Sequence, residues 1–104
     1  LNIKLIRGSG LIEFIQTEFR QPMVIILFGS YAKAENHMES DIDLFVLTRT
    51  KRNLDVSTFK KRLEANIQLF VYTEDEIATL KKENPHLLNN VINGFRLAGF
   101  WEVF

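Results

Sequence analysis

A strand-length apolar run at residues 23–28 ends in Gly29-Ser30, and a second run at residues 41–47 opens with Asp41-Ile42-Asp43. Strand side chains alternate between faces, so Asp41 and Asp43 share one face while Ile42 and Leu44 turn into the core. Two carboxylates about 5 Å apart repel by roughly 3 kcal/mol at an effective dielectric of about 20. A divalent cation turns that repulsion into attraction. Magnesium suits the pair, because it takes a few carboxylates together with phosphate oxygens and waters. A bare Asp-x-Asp reads equally as an edge strand with a solvated polar face. The Gly-Ser turn just upstream selects the metal-site reading.

Gly29 supplies a backbone that can turn sharply or approach a ligand closely, and Ser30 supplies a hydroxyl. A helix starting there would aim free N–H groups at an anion, and Tyr31-Ala32-Lys33-Ala34 is long enough for one or two turns. Gly-Ser alone is an ordinary strand-to-helix turn, so its weight comes from the pairing with Asp-x-Asp. Phosphate and magnesium together point to nucleotidyl transfer. Both motifs are then expected at one end of the same sheet.

The rest of the chain alternates helix and strand. Leu11, Ile12, Phe14, Ile15 and Phe19 fall at helical spacing, which predicts a helix over 10–19 that Pro22 ends. Asp55 can cap a helix to about Leu63. Residues 67–72 read as a third strand. Thr73 and Glu76 form a capping box for a helix to about Glu83. Asn84 caps and Pro85 starts a last helix to about Asn93. Such alternation gives an α/β two-layer domain.

Gly-Ser, a short spacer and Asp-x-Asp, with the preceding helix, the strand at 67–72 and the tail from Asn84-Pro85 to Gly94, resemble the minimal nucleotidyltransferase domain of the DNA polymerase beta superfamily. The resemblance implies a palm-like α/β fold, a mixed sheet flanked by helices. It also implies site roles. Gly29 and Ser30 would hold a triphosphate, with Lys33 reaching a phosphate. Asp41 and Asp43 would be the catalytic pair that binds Mg2+. ATP or another NTP would be the substrate, and a nucleoside monophosphate would pass to a hydroxyl acceptor. Relatives include AMP-transferring antitoxins paired with HEPN-type ribonuclease toxins, which implies a HEPN-like protein partner.

Two positions depart from the family pattern. Ala34 stands where relatives commonly have Gly. Active members carry a third carboxylate on the next long strand, and alternation places Gln68 there, with Asn66 and Phe70 on its face and Ile67, Leu69 and Val71 on the other. An amide cannot act as a general base and is a weaker magnesium ligand. The alternative is therefore a catalytically impaired nucleotide-binding, antitoxin or regulatory module that acts through a protein partner.

With 104 residues, 46% of them hydrophobic, the expectation is one nucleotidyltransferase-like domain spanning 1–104. Net charge is zero, so the basic face that nucleic-acid binding requires is not evident. The absence of cysteine is compatible with a reducing, cytoplasmic setting. No membrane span or signal peptide is visible. The start at Leu1 is compatible with a piece of a longer protein, and the lead-in resembles archaeal proteins with an N-terminal winged-helix DNA-binding domain. His37, His86, Lys60-Lys61-Arg62 and Lys81-Lys82 read as solvated. Arg49, Lys51 and Arg52 follow the Asp-x-Asp strand and offer cations to a charged substrate. Phe95, Phe100, Trp101 and Phe104 form an aromatic tail. At least Trp101 or Phe104 is expected to touch a partner or a second copy; the competing expectation is that the tail closes its own core.

Overall fold

The computed structural model describes residues 3–29 and 41–101. The described elements run α1 (Ile3–Gly8), α2 (Leu11–Glu18), β1 (Val24–Phe28), β2 (Asp41–Leu47), α3 (Ser57–Leu63), β3 (Asn66–Tyr72), α4 (Glu74–Glu83), α5 (Pro85–Ile92) and β4 (Phe95–Gly99). The four strands make one mixed sheet in the order β3-β2-β1-β4. β1 pairs antiparallel with β2 and β4, and β2 pairs parallel with β3. A parallel pair needs a crossover, and α3 supplies it.

Strand alternation divides the core between the two sheet faces. Ile25, Leu27, Ile42, Leu44, Val46 and Ile67 pack under α1, α2 and α3. Val24, Ile26, Phe28, Phe45 and Leu47 pack under α4 and α5 through Ile77, Leu80, Leu88 and Val91. All five residues of β1 are buried, which fits a strand that is apolar at every position and covered on both faces. The alternating pattern predicts an α/β two-layer domain, and the resemblance implies a mixed sheet flanked by helices; the sheet is mixed, and helices cover both of its faces.

Local signals fix the helix ends. The Thr73 N–H donates to Glu76 Oε1 at 2.9 Å, the expected capping box. The Leu87 N–H donates to Asn84 Oδ1 at 3.1 Å, with Pro85 in the first turn. Asp55 lies one residue further out than a cap, but its Oδ1 still accepts from the Ser57 N–H at 3.0 Å. Hydrogen bonds from the Ser57 side chain and backbone hold the Asp55 carboxyl below its ordinary pKa. Arg62 is exposed, as expected of a solvated face, and also donates to the Ser9 carbonyl and lies over the Phe59 ring. It thereby ties α3 to the α1–α2 joint. At that joint the buried Ser9 hydroxyl donates to Ile6 O at 2.6 Å and accepts from the Leu11 N–H at 3.2 Å.

β4 was not expected. It forms an edge strand beside β1, and its register shifts opposite Ile25 and Ile26, leaving Leu97 as the extra residue. Leu97 is buried with the α1–α3 side of the core. Just before the strand, Gly94 passes so close to β1 that a Cβ there would sit 2.5 Å from Leu27 O. The aromatic tail is thus partly internal. The Trp101 ring stacks on Phe45 at 5.5 Å between centroids, and Phe45 also stacks on Tyr72 at 5.7 Å. Phe95 and Phe100 stay exposed, and Phe104 lies outside the described residues. Because Trp101 is half-buried against a fully buried ring, Trp101→Ala should cost about 2 kcal/mol of unfolding free energy. A denaturant melt reads this. Unchanged stability with altered sedimentation would place the ring at an interface instead.

Candidate functional site

The end of the sheet where β1 finishes and β2 starts brings Gly29, Asp41, Asp43 and Gln68 together. Phe28 is the register partner of Asp43 across β1–β2. On the other side Asp43 pairs with Gln68, and Asp41 with Asn66, across β2–β3. Laterally paired residues project to one face, so Gln68 shares the face of Asp43. Strand alternation requires the same. Asp41 and Gln68 are exposed and Asp43 is half-buried.

Gly29 is shaped around the Asp43 carboxylate. Its φ is +78°, and a Cβ at this position would lie 2.6 Å from Asp43 Oδ2. Glycine is therefore needed twice, for the left-handed backbone and for the space. Gly29→Ala should cost about 1 to 2 kcal/mol from the backbone alone, and it should also push the carboxylate off its seat. The expected readout is a lower melting temperature together with weaker magnesium-dependent nucleotide binding. Normal binding by the variant would show that the contact has no part in the site.

The electrostatics mark Asp43 as an unusual carboxylate. Among the described residues its buried Oδ1 has no hydrogen-bond partner. Burial, and then the charge of Asp41, push its pKa above the ordinary carboxylate value. A buried, unpartnered oxygen beside a second carboxylate is a costly arrangement for a purely structural strand. A divalent cation would relieve both costs, so the residues present fit magnesium. Among the described residues no group of three His, Cys, Asp or Glu side chains could hold a metal ion. Glu74 follows the far end of β3, whereas Glu64, at the C-terminus of α3, lies two residues before Asn66, the register partner of Asp41.

Ser30 and Lys33 lie outside the described residues, as do Ala34 and His37. Arg49, Lys51 and Arg52 follow Leu47, at the opposite end of β2 from Asp41. Seven residues of strand span about 20 Å, so these cations do not reach a substrate held at the aspartate pair. Sequence reasoning placed Phe28 at the end of the strand before Gly29 but gave it no role at the site. Its ring meets Phe70 edge-on at 5.1 Å, on the face that carries Asp43 and Gln68. The signal was available, since Phe28 is the last residue before the Gly29 turn and alternation put Phe70 beside Gln68. The two rings lie on the same sheet face as the carboxylate, whose burial raises its pKa.

The fold is shared with solved toxin–antitoxin structures. One, a toxin–antitoxin with AMP-PNP, aligns with a TM-score of 0.59 at 24% identity, over 88% of this chain and 73% of that chain. A mutant of the toxin–antitoxin MntA-HpeT aligns with a TM-score of 0.56 at 22% identity, over 89% of this chain and 72% of that one. No curated protein matches the chain. The family described as "Polymerase beta, Nucleotidyltransferase" matches residues 10–98, from the start of α2 almost to the end of β4. That span takes in the turn at Gly29, both aspartates, β1 to β3 and most of β4, and the chain belongs to the polymerase beta nucleotidyltransferase family.

Proposed function

We infer that the Gly29–Asp43 end of the sheet binds a nucleoside triphosphate with magnesium and transfers its nucleoside monophosphate to a hydroxyl acceptor. The observation that carries this reading is the Asp43 carboxylate, whose buried Oδ1 has no partner among the described residues, whose Oδ2 sits against Gly29, and which lies beside Asp41. Asp41 and Asp43 would hold the cation. Gly29 and Ser30 would hold the triphosphate through backbone N–H groups and the Ser30 hydroxyl, with Lys33 neutralising a phosphate. Bound magnesium supplies Lewis-acid activation of the acceptor hydroxyl and charge neutralisation at the leaving pyrophosphate. The chain's own contribution is positioning and charge placement. Family membership and the AMP-PNP held by a structure of the same fold support ATP or another NTP as the substrate.

A second reading is favoured by one specific observation. Gln68 occupies the register position beside Asp43, where active relatives carry a third carboxylate. With no general base at this position, the domain would keep nucleotide and metal without appreciable turnover. The toxin–antitoxin setting of the structures of this fold supports a protein partner in that case, a HEPN-like toxin above all. Pyrophosphate release from ATP and magnesium, with and without a candidate acceptor protein, separates the two readings. Multiple turnovers establish the transferase. Saturable binding without release establishes the binding module.

A further inference from the structure

The sheet end remote from Asp43 holds a second polar concavity. It is a cavity of about 490 Å³ between the α2–β1 turn and the loop after β2, lined by Arg20, Arg49, Lys51 and Arg52 with Glu18 and Phe19. Four cations thus face one carboxylate, in a chain whose net charge is zero. Two of the four are held in place by acids. Lys51 Nζ lies 3.2 Å from Glu76 Oε2, while Arg52 lies 3.8 Å from Glu18 Oε1 and donates to the Glu18 carbonyl at 3.0 Å. Among the described residues Arg20 and Arg49 form no ion pair.

The walls of this cleft are fixed. The Met23 N–H donates to Leu47 O at 2.8 Å, and the Thr48 N–H donates to Tyr72 O at 2.9 Å, so the sheet ladder continues to the cavity edge. Arg52 straps the loop after β2 to the end of α2. Arg20 and Gln21 both adopt left-handed backbone, with φ of 54° and 63°. Neither is glycine, and such geometry persists only where the surroundings enforce it. The turn therefore holds Arg20 at the rim against its local preference.

We propose that this cleft is a binding site for a small ligand bearing clustered phosphates, separate from the aspartate end of the sheet. Its volume falls within the range of about 300 to 1,000 Å³ typical of small-ligand sites. Arginine forks match phosphate oxygens two at a time, and among the described residues Arg20 and Arg49 have no acid partner. A nucleic-acid strand is the weaker fit, because the excess of cations is confined to one cleft rather than spread along a face.

The test is a calorimetric titration of inorganic tripolyphosphate into the chain with EDTA present, so that no metal bridges the ligand to Asp41 and Asp43. The expected result is saturable binding, weakened about tenfold or more in Arg20→Ala/Arg49→Ala and unchanged in Asp41→Asn/Asp43→Asn. Both arginines are exposed, so the variant should fold; a melt checks this, and Arg20→Gln/Arg49→Gln serves if it does not. A parallel titration uses a single-stranded oligonucleotide. Absence of tripolyphosphate binding, or equal binding by the arginine variants, overturns the site. So does capture of the oligonucleotide alone. Because no metal takes part, failure here leaves the aspartate site untouched, and failure of the aspartate site leaves this one standing.

Discussion

Asp43→Asn should raise the melting temperature of the metal-free protein by a few degrees and abolish the extra protection that magnesium and ATP give the wild type. The two effects have one cause. The wild-type carboxylate is partly buried, its Oδ1 is unpartnered among the described residues, and Asp41 repels it. Without metal its charge therefore works against folding. The pH dependence has a definite sign. The folded pKa of Asp43 lies above the unfolded value, so between the two the folded protein binds more protons. The contribution of Asp43 to stability then falls as pH rises through that window, and it is most favourable below it. Magnesium binding runs the other way and weakens as pH falls through the raised pKa. Thermal melts across the acid range should show a magnesium-dependent gain in wild type that shrinks to nothing as pH falls through the raised pKa, and no such gain at any pH in Asp43→Asn. If Asp43→Asn melts lower than wild type without metal, the carboxylate is a structural group and this account of it fails.

Gln68→Glu should tighten magnesium binding about tenfold and raise nucleotidyl transfer above the wild-type rate. The register places position 68 directly beside Asp43. A third carboxylate there adds a Coulombic attraction to the cation worth a few kcal/mol at an effective dielectric of about 20, of which desolvation and side-chain ordering remove a part. About 1.4 kcal/mol of surplus suffices for a tenfold gain. The same charge should lower the melting temperature of the metal-free variant, since three acids then share one end of the sheet. Robust wild-type transfer that Gln68→Glu leaves unchanged would show that a different group acts as the base.

Much of this was legible in the sequence, for identifiable reasons. The apolar run ending at Phe28 and the alternation from Asp41 to Leu47 have a single sensible burial pattern, so β1, β2 and their faces followed directly. Thr73 with Glu76, and Asn84 with Pro85, specify helix starts by local hydrogen bonding that does not depend on the rest of the fold. The short α1 was missed because Gly8-Ser9-Gly10 reads as a break, and its residues become helical partly through Ile6 packing into the core. β4 was missed because Phe95–Gly99 lacks clean alternation and lies between glycines; pairing with β1 makes it a strand. At the site, period-2 logic grouped Gln68 with Asn66 and Phe70, and the family resemblance put that face with the aspartates; the β2–β3 register pairs Gln68 with Asp43. The seat of Asp43 on Gly29 depends on a left-handed turn that sequence spacing does not encode. The separation of Arg49, Lys51 and Arg52 from the aspartates depends on strand length and direction, and adjacency in sequence concealed it.

The most direct test of the aspartate site is a calorimetric titration of ATP with magnesium into wild type, Asp41→Asn and Asp43→Asn. Saturable, magnesium-dependent binding by wild type that each variant loses is the predicted result; wild type and both variants binding ATP and magnesium alike would contradict the assignment.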